Sequence, residues 1–430
     1  MTAPTADAET WTGQWVTDRL DLRLTGSPEL PGLIGLALRQ NPRRAHLLVS
    51  RVLGKHVPQR PVVVHGAGLD LGRKVAELLG AEQAGRAVVL GYAETATALG
   101  HSVADALGAP YLHSTRRPVA GIAPVGGFEE EHSHATSHLL LPEDPAFLAG
   151  DGPLVLVDDE FSTGRTVLNT IRALHADRPR AHYVVVALVD LRTDADREQL
   201  AKAAAELGAR LDVVATASGG VDLPADALAR AQALIAAAPA APPADGPLAP
   251  LVRAALDWPA DLPDGGRHGF TPAHRERLET VLPAAAGAIA AELAPGARRV
   301  LVLGFEELMY APLRLAQALD GHLGGERVRF STTTRSPVLA VDDPGYAIRT
   351  RLEFAAHDDP ADASVDRFAY NVAPGADPGR RFDAIVLVVD APADTPALHD
   401  GERALLPALR RVTDQVVLAV LPSYRAATPA

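Results

Sequence analysis

Cysteine is absent from the 430 residues of the chain. Disulfide bonds, thiolate metal sites and a cysteine nucleophile are therefore excluded, and no feature points to an oxidising compartment. Long apolar runs are missing as well, since no stretch approaches the roughly 20 residues that cross a membrane. The first eight residues lack the basic start and apolar core of a signal peptide. We therefore expect a cytoplasmic protein with no membrane partner.

Positive charge is in short supply. The 41 Lys and Arg residues stand against 53 Asp and Glu residues, which gives a formal net charge of -12. Binding to a nucleic-acid backbone needs clustered cations that displace condensed counterions. A nucleic-acid partner is therefore not expected.

The remaining composition is typical of a folded globular protein, with 47% hydrophobic and 22% charged residues. A chain of this length exceeds what one hydrophobic core usually organises, so we expect two domains. The stretch 237–250 reads AAPAAPPADGPLAP, which is too rich in proline for a helix interior. The predicted division is an N-terminal arm at 1–28, a first domain at 29–236, a linker at 237–250 and a second domain at 251–425.

Short apolar runs alternate with amphipathic segments in both halves. Continuous apolar strands separated by helices indicate a parallel sheet covered on both faces, so both halves are predicted to be α/β. In the first half, strands are predicted at 62–64, 87–90, 154–157, 183–189 and 211–215, and helices at 45–53, 70–79, 97–107, 164–175 and 197–207. In the second half, strands are predicted at 299–303, 328–331 and 384–389, and helices at 272–293 and 312–319.

A weak internal repeat links the halves. Gly91-Tyr92-Ala93-Glu94 leads through a helix to Thr115-Arg116, and Gly304-Phe305-Glu306-Glu307 leads through a helix to Thr334-Arg335. A degenerate duplicate is one interpretation, and two unrelated units of one common motif is the other. In the first interpretation, residues 385–390 correspond to 154–158.

An acidic pair, Asp158 and Asp159, ends the predicted strand 154–157 and is followed by a small polar turn and a helix. Unpaired N–H groups at a helix N-terminus bind phosphate, and carboxylates one turn earlier can accept hydrogen bonds from sugar hydroxyls. This pattern favours a ribose 5-phosphate ligand. The alternative is an ordinary strand end followed by a helix that Ser162 or Thr163 caps. The predicted phosphate-binding residues are Ser162, Thr163, Gly164, Arg165 and Thr166.

Turns after the other strands should converge on the same edge of the sheet. Ala93, Glu94, Thr95 and Ala96 form a small, hydroxyl-bearing turn that could hold a pyrophosphate, unless Thr95 only caps the next helix. Arg116 and Arg117 precede a long loop, and guanidinium groups suit anionic ligands through their forked geometry. Solvated surface is the other interpretation of this arginine pair.

The loop after the arginines contains three histidines, His132, His134 and His138. Such a loop of about 20 residues suggests a lid or disorder. The histidines could ligate a metal, contact the ligand as part of a lid or lie in solvent, and rigid support for a metal is not evident. Earlier in the chain, Gly66, Gly68 and Gly72 follow a predicted strand. A dinucleotide-binding turn is one interpretation of these glycines, although no acidic residue stands at the end of the next strand to bind the adenosine ribose.

The thirteen residues from Leu154 to Thr166 resemble the signature with which type I phosphoribosyltransferases bind phosphoribosyl pyrophosphate (PRPP). With five further motifs, the chain resembles a bacterial phosphoribosyltransferase that carries a C-terminal TRSP domain and belongs to gene clusters of the tellurium-resistance and stress-response type. The resemblance spans about 28–425. The further motifs are Gly54-Lys55-His56, Gly66-Ala67-Gly68, Ala93-Glu94-Thr95-Ala96-Thr97, Ser133-His134-Ala135-Thr136 and Thr334-Arg335-Ser336-Pro337.

The resemblance implies a Rossmann-like type I phosphoribosyltransferase domain followed by a TRSP domain at 251–425. It implies that Asp158 and Asp159 hold the ribose hydroxyls, that the turn 162–166 holds the 5-phosphate and that a loop closes over the site. Mg²⁺ would arrive with PRPP and need no dedicated protein ligands. The catalytic candidates are Asp158, Asp159, Arg116 and His134.

In the second half, the turn after the strand 384–389 contains Pro392 and no glycine, so it should not bind a ribose phosphate in the same way. This half would instead supply an acceptor pocket or an assembly surface, with Glu306, Glu307, Tyr310 and Arg335 as candidates. The sequence leaves open whether the chain forms a homodimer.

Together these features favour an enzyme that transfers 5-phosphoribosyl from PRPP to an unknown nitrogen acceptor and releases pyrophosphate. The product would be a nucleoside-like metabolite. The alternative is a non-catalytic protein that senses PRPP or a nucleotide.

Overall fold

The structure is a computed structural model that describes residues 10–41, 44–117, 119, 122, 124–129, 137–239, 246–358, 365–422 and 424. In the first half, the elements are α1 Gln14–Leu20, β1 Arg23–Gly26, α2 Leu30–Leu33, β2 Ile34–Asn41, β3 Arg44–Ser50, α3 Pro61–Ala84, β4 Val88–Gly91, α4 Thr97–Leu107, β5 Tyr111–His113, β6 Gly126–Glu129, β7 Ser137–Leu140, β8 Leu154–Val157, β9 Glu160–Phe161, α5 Arg165–Asp177, β10 His182–Asp190, α6 Asp194–Leu207, β11 Arg210–Asp222 and α7 Ala227–Ala237. In the second half, they are β12 Leu251–Ala254, α8 Pro272–Glu292, β13 Val300–Gly304, α9 Tyr310–His322, β14 Val328–Thr332, β15 Arg351–Ala355, β16 Asp366–Tyr370, β17 Ala384–Asp390, α10 Pro396–His399, α11 Leu405–Val412 and β18 Val416–Leu421. None of the described helices is both long and apolar enough to cross a membrane.

Two sheets organise the chain, one in each half. The first has the strand order β1-β11-β10-β8-β4-β5, with β9 beside β10, and it is parallel except for the edge strand β1. The second has the order β12-β18-β17-β13-β14 and is entirely parallel. Central strands such as β8 and β17 are fully buried, as their unbroken apolar sequences predict. The predicted α/β fold with a second α/β domain is therefore confirmed.

The two halves share an order of elements. In each sheet, a strand that ends in glycine, β4 or β13, lies between the next strand along the chain and a later strand, β8 or β17. The following helix, α4 or α9, begins six residues after that glycine. Each half then inserts an antiparallel hairpin, β6–β7 or β15–β16, before the later strand. This shared topology supports the interpretation of the second half as a degenerate duplicate.

Strand register corrects one detail of that comparison. Leu154 pairs with Val88 in the first sheet, and Ile385 pairs with Leu301 in the second. Residues 385–390 therefore correspond to 154–159, one residue further than the sequence comparison proposed. Asp390 takes the position of Asp159, while the position of Asp158 is taken by a buried valine.

Two predicted elements are wrong. Residues 62–64 form the start of helix α3, because Pro61 suits the first helical position and the segment docks on α4. A Cβ on Gly68 would lie 2.3 Å from the Cβ of Ser102, so this glycine permits close helix packing and is not part of a dinucleotide-binding turn. The helix predicted at 45–53 is absent, because 44–50 form strand β3, paired with β2. Short apolar runs fit either state until a partner strand decides.

The halves share one hydrophobic core, to which α3 and α4 contribute Leu71 and Val103 and α9 contributes Leu313. At its polar margin, the ring of His101 stacks on the ring of Tyr310 with centroids 3.3 Å apart. The Tyr310 hydroxyl donates a hydrogen bond of 2.9 Å to Asp105. A second cluster joins N-terminal residues to the second half, and it includes the edge-on contact of Trp15 with Tyr346. The boundaries 1–28, 29–236, 237–250 and 251–425 stay predictions.

The close contact at Gly68 leads to a stability prediction. Gly68→Ala should lower the free energy of unfolding by about 1–3 kcal/mol, because the added methyl group overpacks the α3–α4 interface. Gly66 lies in the same helix, and a Cβ added there would have no atom within 4 Å. The matched control Gly66→Ala should therefore be neutral or stabilising by up to about 1 kcal/mol, the helix-propensity gain of alanine over glycine. Urea titration checks both, and equal effects of the two substitutions would contradict the packing argument.

Buried histidines lead to a pH prediction. Burial lowers the pKa of His56 to about 3 and the pKa of His113 to about 4, from an ordinary value of 6.5. Below pH 6.5 the unfolded chain takes up protons that the folded chain does not. The free energy of unfolding should therefore fall between pH 7 and pH 4, by about 1.4 kcal/mol per pH unit for each histidine. His113→Asn should flatten this slope in urea titrations, whereas His322→Asn, at an exposed position, should not. Identical slopes for the two variants would contradict this account.

Candidate active site

The acidic pair lies where β8 ends. The Asp158 N–H donates to the Val186 carbonyl at 2.9 Å, and the Leu188 N–H donates to the Asp159 carbonyl at 3.1 Å, so strand β10 anchors the backbone of both residues. The Asp159 N–H also donates to the Asp158 carboxylate at 2.9 Å. Both side chains are half-buried. The pair is thus fixed by its backbone at the carboxyl edge of the sheet.

The turn after the acids opens helix α5. Gly164 is the residue that precedes the helix, and its φ of 78° lies in the left-handed region that favours glycine. Glycine at this capping position supplies no side-chain cap bond, and the first turn receives only a long hydrogen bond of 3.5 Å, from the Arg165 N–H to the Thr163 hydroxyl. Ser162, Thr163 and Thr166 are half-buried around the turn, and Arg165 is exposed. The turn therefore presents helix N–H groups and hydroxyls together, as an anion site requires.

The turn after β4 lies directly beside it. Leu90 pairs with Leu156, and the Tyr92 N–H donates to the Val157 carbonyl at 3.0 Å. Ala93, Glu94 and Ala96 are buried, Thr95 is half-buried, and the Ala93–Glu94 peptide bond is cis. The acidic pair and the predicted pyrophosphate turn thus follow neighbouring strands and meet at one edge.

Lys55 holds this turn and was not among the predicted site residues. Its ammonium group donates to the Thr95 hydroxyl at 2.7 Å and lies 3.2 Å from the Glu94 carboxylate. Burial alone would raise the pKa of Glu94, but Lys55 and a hydrogen bond from Thr334 hold it at about 2. The Gly54-Lys55-His56 motif was a signal for this role, but sequence separation gave no indication of where the lysine lies.

A chain of hydrogen bonds connects the same turn to Arg116. The Ala93 N–H donates to the Ser114 hydroxyl at 3.0 Å, and that oxygen lies 2.8 Å from Nδ1 of the buried His138. The other ring nitrogen, Nε2, lies 3.4 Å from the Arg116 guanidinium. Guanidinium can only donate, so Nε2 accepts and a neutral ring carries its proton on Nδ1. His138 thereby orients Arg116. His132 and His134 lie outside the described residues.

At this edge, a carboxylate of each half interacts with residues of the other half, an arrangement that we call the carboxylate exchange. Glu307 of the second half accepts from the Thr115 hydroxyl at 2.6 Å and from the Arg116 N–H at 2.9 Å. Glu94 of the first half interacts with the Thr334 hydroxyl and the Arg335 guanidinium. In the shared topology, Glu94 corresponds to Glu307, and Thr115-Arg116 corresponds to Thr334-Arg335. The two contacts are therefore reciprocal and involve topologically equivalent residues.

The other second-half candidates also make contacts at or near this junction. Glu306 is buried and accepts hydrogen bonds from the guanidinium groups of Arg335 and Arg367. Tyr310 contacts α4 through His101 and Asp105, as described above. Arg117 donates to Asp358 and Asp390, both at 2.8 Å. The predicted arginine pair is thus divided between His138 of the first half and two carboxylates of the second.

Comparisons with known proteins agree with these features. A family model described as phosphoribosyl transferase matches residues 33–220. A second model, described as the TRSP domain C-terminal to that phosphoribosyl transferase, matches residues 264–409. A comparison with curated proteins finds no match.

Solved structures give distant similarities only. They include an adenine phosphoribosyltransferase from Trypanosoma brucei, with 12% identity over 47% of this chain and 78% of that chain and a TM-score of 0.28. An orotate phosphoribosyltransferase from Aeropyrum pernix has 21% identity over 44% and 89%, with a TM-score of 0.26. An adenine phosphoribosyltransferase from Rhodothermus marinus has 16% identity over 43% and 95%, with a TM-score of 0.29. The assignment rests on the two family models, which together match most of the chain: it belongs to the family of phosphoribosyl transferases that carry a C-terminal TRSP domain.

Proposed function

We propose that this phosphoribosyl transferase binds PRPP across the turns after β8, β4 and β5 and transfers the 5-phosphoribosyl group to a nitrogen acceptor. The observation that carries the proposal is the convergence of three turns at one edge of the first sheet. The turn 162–166 offers helix N–H groups and hydroxyls for the 5-phosphate. Asp158 and Asp159 offer carboxylates for the ribose hydroxyls.

Pyrophosphate departs at the neighbouring turn. The backbone of residues 93–96 lies beside the acidic pair. Hydrogen bonds through Ser114 and His138 connect this backbone to the Arg116 guanidinium. A guanidinium and fixed N–H groups stabilise the negative charge that develops on a leaving phosphate. The sugar carbon develops positive charge as the bond to pyrophosphate breaks, and the two carboxylates offset that charge. No covalent attack by the protein is needed.

Mg²⁺ fits this arrangement as an ion that arrives with PRPP. Asp158 and Asp159 are half-buried carboxylates, which are the hard oxygen ligands that Mg²⁺ prefers. Within the described ranges, no group of three or more His, Asp or Glu side chains is placed to hold a metal ion by itself. Asp158 and Asp159 would hold the ion jointly with PRPP, and it would neutralise charge on the pyrophosphate.

The second half acts in this proposal as an assembly surface for the first. Glu307 and Tyr310 contact loops or helices of the first half, Arg335 lowers the pKa of Glu94 electrostatically, and Glu306 holds Arg335. These contacts support the assembly role, and an acceptor pocket stays the alternative because Glu306, Glu307 and Arg335 also line a cavity at this junction. A nucleoside-like product and a role in stress or tellurium resistance are part of the proposal through family resemblance alone, as is a cytoplasmic location.

Replacement of the acidic pair tests the ligand. Asp158→Asn together with Asp159→Asn should abolish PRPP binding measured by calorimetry, because the ribose hydroxyls and Mg²⁺ lose both carboxylates. Asp177→Asn is the matched control, since Asp177 lies at the far end of helix α5 and is exposed. Unchanged affinity in the double variant, with wild-type protein that binds PRPP, would remove these residues from the site.

Turnover is tested by pyrophosphate release from PRPP in the presence of a panel of nitrogen bases and amines. An enzyme should release pyrophosphate with at least one acceptor, and Arg116→Ala should slow that release by about 10-fold to 100-fold, as expected for the loss of a hydrogen bond to a charged group. Tight PRPP binding without release across a broad panel would favour the sensing protein that is the alternative.

A further inference from the structure

Two neighbouring arginines after β5 have different partners. The Arg117 guanidinium donates to Asp358 at 2.8 and 3.1 Å and to Asp390 at 2.8 Å, and the side chains of these acids are only 2% and 4% exposed. The N–H donors of its guanidinium are thus used by carboxylates of the second half. The Arg116 guanidinium points toward His138 of the first half instead. Of these two arginines, Arg116 is the one that hydrogen bonds connect to the predicted pyrophosphate turn, through His138 and Ser114.

The backbone between β5 and these guanidiniums is held by Glu307. This carboxylate is 8% exposed and accepts from both the Thr115 hydroxyl and the Arg116 N–H. Burial alone would raise the pKa of Glu307, but Arg267 at 3.7 Å and these two hydrogen bonds hold it below its ordinary value. The ionised Glu307 carboxylate of the second half therefore holds the backbone of Arg116, whose side chain would contact the leaving pyrophosphate.

We propose that Glu307 is a positioning residue for PRPP: it fixes residues 115–117 so that Arg116 meets the pyrophosphate while Arg117 serves only to join the halves. The proposal rests on the function proposed above. Glu307 has no direct role toward the 5-phosphate, which is held by the turn 162–166. It acts through Arg116 alone.

The test measures Kd by calorimetry for two ligands, PRPP with Mg²⁺ and ribose 5-phosphate. Ribose 5-phosphate carries the phosphate and hydroxyls but lacks the pyrophosphate that Arg116 would bind. The variants are Arg116→Ala, Glu307→Ala, the double variant and Glu307→Gln. The glutamine keeps one carbonyl oxygen that can accept from the Arg116 N–H, so it serves as the conservative comparison. Thermal midpoints are recorded for every variant.

Arg116→Ala should weaken PRPP binding by about 10-fold to 100-fold, the usual effect of removing a hydrogen bond to a charged group. Glu307→Ala should weaken it by a similar or smaller factor, and Glu307→Gln by less than Glu307→Ala. The double variant should bind PRPP no more weakly than Arg116→Ala, because residues that act through one another are not additive. Ribose 5-phosphate should bind all four variants as it binds the wild type.

Several results would overturn the proposal. Additive effects of the two alanine substitutions, or an unaffected Glu307→Ala, would show that Glu307 does not act through Arg116. A parallel loss of ribose 5-phosphate binding in Glu307→Ala and Glu307→Gln would indicate a general structural role. Wild-type protein that binds neither ligand would remove the proposed function itself. Wild-type binding of both ligands with an unaffected Arg116→Ala would remove the positioning role alone.

Discussion

The exchange of carboxylates between the halves is the constraint on which the site depends. Glu307 accepts from Thr115 and Arg116, and Glu94 interacts with Thr334 and Arg335. A charge taken out of water is costly unless it is paired and hydrogen-bonded, and removal of one partner leaves the other uncompensated. Separation of the halves would expose a large apolar core and break both exchanges at once. The proposed pyrophosphate site therefore depends on contacts from both halves.

The second half differs from the first at the counterpart of the proposed phosphate turn. Its counterpart of the phosphate turn is a short 3-10 helix at Ala391–Ala393 that contains a proline, and the Ala393 carbonyl accepts from His357 at 2.8 Å. This closed turn lacks the glycine and the open helix start that an anion needs. Asp390, which takes the position of Asp159, pairs with Arg117 instead. The position that the proposed site uses for the ribose hydroxyls is thus an internal ion-pair position in the second half.

The sequence predicted the alternation of strands and helices well, because buried parallel strands such as β8 are continuous apolar runs of fixed length. It predicted the helix 70–79 correctly but assigned the wrong state to the start of α3 and to β3, since a short apolar run has no preference strong enough to resist packing on a neighbouring element. The location of Lys55 could not be predicted either. Its contacts with Glu94 and Thr95 join residues 39 and 40 positions apart, and such pairs follow from topology alone. Local motifs are readable in the sequence, whereas their long-range supports are not.

Apolar and charged contacts have different tasks at this junction. The helices α3, α4 and α9 supply the nondirectional part of the attraction, which tolerates small shifts. The charged contacts do not tolerate small shifts, because a carboxylate displaced by one residue would lose both hydrogen-bond donors and stay buried without compensation. Glu307 therefore keeps both donors only when the loop after β5 docks in one position against the second half. Accurate docking of the halves and accurate placement of Arg116 are consequently one structural event.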